Sequence, residues 1–226
     1  MPLSHYALDN FVAPRLSELI IRSCGVYPLP EPCNFLNSFI LTNIFQMGYP
    51  AETRSLLFNF IRRVEQAFYE YDQGRTNLQA HINEPRSDHI AVYFRALAHF
   101  EQCVAVLYQA SLFRKQLTGE NLFSGGDGSF FDRVNRIYNV SHHMDDRIVK
   151  GQVVTQDPTT QVWLLNEGIA CNEAKAMVTI TFAELRQELI DMREVGRFIV
   201  QDLPRVIHEH GQSSREKPPV QPFGSA

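Results

Sequence analysis

The chain reads as a mainly α protein: an up-down helical bundle of four to five helices with a small β-hairpin before the last helix. Three observations point there. Apolar residues recur at three- and four-residue steps through most of the 226 residues, as in helices that bury one face. Between residues 151 and 180 that period gives way to an apolar run, a polar turn and a second apolar run. A hydrophobic content of 44% is enough for one continuous core. The expected organisation is an irregular arm over 1–33, a single bundle domain over 34–211 and a disordered tail over 212–226.

In the arm, the apolar piece Leu16 to Ile21 leads into a connector punctuated by Pro28, Pro30 and Pro32, where no helix persists because proline lacks the amide hydrogen and crowds the preceding turn. The first helix is expected over 34–47, with Phe35, Phe39, Ile40, Ile44 and Met47 on one side and Gly48 and Pro50 ending it. The second runs over 51–73 on Leu57, Phe60, Val64, Ala67 and Tyr71, and Gly74 breaks the pattern. The third covers 87–117, where Ile90, Tyr93, Leu97, Phe100, Val104, Leu107 and Ser111 keep the spacing over six steps.

A glycine-rich stretch, Ser124 to Gly128, lacks the Gly-Lys-Ser/Thr ending and the preceding strand of a phosphate loop, so it reads as the entry to a fourth helix. That helix spans 129–149 and sets Phe130, Val134, Ile137, Met144 and Ile148 towards the core. Val162 to Leu165, a turn at Asn166-Glu167-Gly168, and Ile169 to Cys171 make the hairpin. The last helix, 181–210, opens with the capping box Thr181-Phe-Ala-Glu184. It repeats Phe182, Leu185, Leu189, Met192, Gly196, Ile199, Leu203 and Val206, with a kink at Pro204.

Charge and cysteines narrow the function classes. With 21 basic and 25 acidic residues the net charge is −4, which argues against a broad cationic surface for duplex nucleic acid. Cys24, Cys33, Cys103 and Cys171 form no C-x-x-C and read as free thiols of a reducing compartment. The N-terminus lacks the pattern of a signal peptide, and no run approaches the ~20 apolar residues of a membrane span. A cytoplasmic protein with no membrane partner is expected.

Chemistry concentrates in Asp132 to Asp146, where eleven of fifteen side chains are polar or ionisable. At about 100° per residue Arg136 and His143 are nearly eclipsed, Asn139 lies about a sixth of a turn aside and Arg147 extends the row. An imidazole can take the proton of a ribose 2′-hydroxyl while a guanidinium holds the phosphate on which charge grows, a combination that cleaves RNA without metal. His142, His143, Asp145 and Asp146 could also offer metal ligands, but the Glu-x-x-His of carboxylate-bridged di-iron bundles occurs nowhere in the chain, so no metal and no cofactor are expected.

With Arg136, six residues and His143 on one helix, and Asn139 ahead of Val140 to His142, the chain resembles the HEPN superfamily of helical bundles. Many of its members are ribonucleases of defence and toxin–antitoxin systems. The commonest arrangement there has Arg directly before the Asn, where this chain carries Tyr138. The resemblance implies a metal-independent endoribonuclease or RNA-binding protein, with His143 as base, Arg136 holding phosphate and Asn139 orienting, and with Tyr138, His142 and Arg147 as further binding residues. It also implies a homodimer in which two copies of the fourth helix meet. The competing expectation is a non-catalytic helical module whose polar fourth helix forms a dimer seam or docks a protein partner.

Overall fold

The computed structural model describes residue 21 and residues 25–30, 34–41, 49–83, 90–151, 161–173 and 176–202. These hold six α-helices: α1 (Phe35–Leu41), α2 (Ala51–Asn83), α3 (Ile90–Thr118), α4 (Phe130–His142), α5 (Met144–Val149) and α6 (Phe182–Arg197). Strands β1 (Val162–Leu165), β2 (Gly168–Glu173) and β3 (Ala176–Thr181) precede α6, which continues as a π-helical turn, Phe198–Asp202. The protein is mainly helical with a small antiparallel sheet before the last helix, as the periodicity predicts.

The scaffold is the α2–α3 hairpin. Leu57, Phe60, Val64, Ala67 and Tyr71 are all buried, and so are Tyr93, Leu97, Phe100, Val104, Leu107 and Ser111 of α3, while Ile90 is half-buried. Contrary to expectation, α2 does not stop before Gly74 but runs ten residues further, burying Leu78 and His81. Gly74 is a contact point rather than a breaker: a Cβ there would stand 3.0 Å from the Phe100 ring, so its missing side chain lets α3 approach. That packing outweighs the roughly 1 kcal/mol a helical glycine costs. By length and composition α3 is apolar enough to cross a membrane, against expectation; half of its most apolar window is buried inside the fold.

The hairpin expected before the last helix is a three-stranded meander in the order β1-β2-β3, with Val162 opposite Cys171 and Ile169 opposite Ile180. β3 was not legible because only Val178 and Ile180 of its six residues are buried. One sheet face supplies Val162, Leu164, Ile169, Cys171, Val178 and Ile180 to the core. The Tyr93 hydroxyl accepts the Leu164 amide at 3.2 Å, tying α3 to β1.

α6 starts with the expected capping box: Thr181 Oγ1 accepts the Glu184 amide at 3.1 Å and the Glu184 carboxylate accepts the Thr181 amide at 3.0 Å. Phe182, Leu185, Leu189, Met192, Gly196 and Ile199 are buried as predicted. α1 buries Phe39 but leaves Ile40 47% exposed, so Ile40 is not on its core side. Gly25 to Pro30 is irregular: Tyr71 donates to the Tyr27 carbonyl at 3.0 Å and Arg186 to that of Pro28 at 2.9 Å. The expectations for Leu16, Ile44, Met47, Ser87, Leu203, Pro204, Val206 and the tail fall outside the described residues.

Candidate functional site

The polar segment begins on a firmly built helix. Ser129 caps α4 by accepting the Asp132 amide. Asp132, 1% exposed, accepts the Gly126 amide at 2.8 Å and that of Gly128 at 3.2 Å. Gly126 and Gly128 have φ of 83° and 71°, a region costly for other residues, which is why glycines stand there. The glycine-rich stretch is thus wound onto a carboxylate of its own helix.

α4 buries Phe131, Val134, Ile137 and Val140 between α3 and the sheet, and its margins are fastened by charge. Arg133 reaches the Thr179 carbonyl at 2.9 Å and grips both Glu184 oxygens at 2.7 and 3.2 Å. That grip, with the Thr181 hydrogen bonds, outweighs partial burial and holds the Glu184 carboxyl down at about 2. One turn on, Arg136 donates through Nε to Glu173 at the end of β2. The hydrogen bond to Glu173 raises the guanidinium above its ordinary value, with Asp132 adding charge of the same sign as Glu173. The cation assigned to phosphate is therefore already paired with the Glu173 carboxylate.

The other expected catalytic residues are placed differently. Asn139 donates to the Asn135 side chain at 3.1 Å. His143 is exposed and lies at a bend, φ −113° and ψ 27°, where its amide bonds the Asn139 carbonyl and its carbonyl receives the Arg147 amide, both at 3.1 Å. Among the described residues, no side-chain hydrogen bond or ion pair joins Arg136, Asn139 and His143 to one another. The single helix expected over 129–149 is two helices, because nothing past Val140 is buried to hold the continuation straight. The expected core stripe is corrected accordingly: Met144 is half-buried, Ile148 is 54% exposed and Phe130 only half-buried, while Phe131 and Val140 take the core positions.

Tyr138 and His142 do come together, with ring centroids 4.2 Å apart and edge to face. Tyr138 also lies 4.7 Å from Tyr108 of α3. Beside them Ser141 donates to Glu101 at 3.0 Å; burial raises that carboxyl and the Ser141 bond partly lowers it. Arg147 is half-buried and, with Arg136, opposes the rise of the Cys171 thiol, which burial pushes up to about 12. Such a thiol is inert at neutral pH. No group of three or more His, Cys, Asp or Glu side chains among the described residues is arranged to hold a metal ion.

Glu173, Tyr108 and the pairing of Glu184 with Arg133 were missed by reading the sequence, and the reason is separation. The Arg136–Glu173 and Arg133–Glu184 pairs span 37 and 51 residues, whereas helical spacing reports only neighbours three and four apart. In comparison with known proteins, no family model, no curated protein and no solved structure matches this chain.

Proposed function

We propose that this chain is a non-catalytic helical interaction protein that pairs with a second copy of itself through α4 and α5. The observation that carries the choice is the Arg136–Glu173 ion pair, with Asp132 beside it. A phosphate approaching Arg136 meets a guanidinium already paired with Glu173, so the charge a HEPN-type ribonuclease supplies to its substrate is spent inside the fold.

The pairing surface is argued from α5. None of its six residues is buried, and Ile148 and Val149 are 54% and 86% exposed. Acidic Asp145 and Asp146 precede these apolar residues, Arg147 lies next to them and Lys150 follows. Two copies related by a two-fold axis run this segment antiparallel, bringing each acidic end towards the other copy's basic end around a shared apolar centre. Buried free thiols at Cys103 and Cys171 accord with a reducing cytoplasm.

Sedimentation of the full chain, with RNA incubated in chelator alongside, tests the reading. A dimer that Val149→Asp converts to monomer, with RNA left intact, is the expected result. Metal-independent cleavage that disappears in His143→Ala would overturn it in favour of the ribonuclease.

A further inference from the structure

A second place, remote in sequence from the α4–α5 segment, is built like a ligand site. A pocket of about 300 Å³ opens among the start of α2, the end of α3 and the π-helical turn after α6; Leu57, Phe60, Leu117 and Ile199 give it apolar walls. That volume is at the lower edge of small-molecule pockets and has room for about ten groups of water size. π-helical turns occur mostly as isolated insertions in helices, often at functional sites, and this one contributes Phe198 and Ile199 to the lining.

Polar groups on the lining and just behind it are left incomplete. The Tyr49 hydroxyl, on a pocket-lining residue, is buried without a hydrogen-bond partner. Arg114, also lining it, has among the described residues only distant ion pairs, 4.0 Å to Glu120 and 4.0 Å to Glu188. Behind that arginine and outside the lining, Glu188 Oε1 is itself buried without a hydrogen bond. Buried polar groups in folded proteins are nearly always paired, so an unpaired hydroxyl on the lining and an unpaired carboxylate oxygen behind Arg114 need a reason. Burial raises both the Tyr49 phenol and the Glu188 carboxyl, which keeps the phenol a donor.

We infer that this pocket binds a small neutral amphiphile, an apolar chain ending in a hydrogen-bonding head such as a primary amide. The chain fills the space between Leu57, Phe60 and Ile199. The head's oxygen accepts from Tyr49 or Arg114, the two lining residues that offer donors without close partners among the described residues. A charged head is disfavoured from both sides: Glu120 and Glu188 offset Arg114 against a carboxylate, and Arg114 repels an ammonium.

Octanamide, octanoate and octylammonium share one chain length and separate these cases. Titrated calorimetrically into the full chain, octanamide is expected to bind one to one and about ten-fold more tightly than either charged analogue, a difference of one well-made hydrogen bond. Tyr49→Phe should weaken octanamide by a similar factor without lowering the melting temperature, since it removes an unpaired buried hydroxyl. Val195→Phe, which narrows the pocket from half-buried Val195, should abolish binding while helical circular dichroism is retained. Absence of octanamide binding overturns the site, as does binding untouched by Tyr49→Phe; tighter binding of octanoate or octylammonium overturns the neutral head group.

Discussion

α4 and α5 are consecutive in the chain, separated only by His143, yet they are held in opposite ways. α4 has a serine cap, a buried aspartate beneath its first turn, four apolar residues in the core and two arginines tied to the sheet side. α5 has no side-chain cap and no buried residue, and its own contact is an exposed Asp146–Lys150 pair. The apolar step of three and four runs through both. What differs is whether another element stands opposite, and the helices end where the supporting surface of α3 and the sheet ends. Periodicity states which residues could be buried, and only a partner surface buries them.

The sharpest way to break this comparison is to truncate one isoleucine in each helix. Ile137 is fully buried, and Ile137→Ala should cost about 2–5 kcal/mol by lost burial and the cavity left behind. Ile148→Ala should change monomer stability by no more than about 0.5 kcal/mol. Urea unfolding at a concentration that keeps the chain monomeric checks both; equal losses would mean that α5 is packed after all.

Asp132→Ala comes next. It strips the charged acceptor from the Gly126 and Gly128 amides, and the expected loss is about 2–3 kcal/mol. For a chain of this size that lowers the melting temperature by roughly 5–10 °C. Asp145→Ala, on the exposed helix, should leave it unchanged.

The smallest effect concerns acid. Glu184 is held at about 2, below its ordinary 4.5, chiefly by Arg133. A depressed carboxyl contributes stability that is present above pH 4.5 and is lost as the pH falls towards 2. Because the Glu184 side chain is 39% exposed, solvent screens the pair and the contribution is modest. Glu184→Gln should therefore lie about 2 °C below the parent in melting temperature at pH 6, and the gap should close by pH 2. A gap that persists at pH 2 would assign the effect to the capping box alone.

Local chemistry was legible wherever it stayed local. Thr181 and Glu184 form a capping box because their groups lie three residues apart. α3 and the first two thirds of α2 were legible because each carries its apolar residues at helical spacing, and burial of that stripe dominates their stability. The sequence by itself thus determined a mainly helical chain, most of its core and the polar character of residues 132–146. Tertiary structure alone decided that Gly74 admits Phe100, that Ala176–Thr181 pairs as a third strand, and that Arg136 spends its charge on Glu173. These depend on which surfaces meet across tens of residues, and the free energy of such a meeting belongs to the pair, not to either residue's position in the chain.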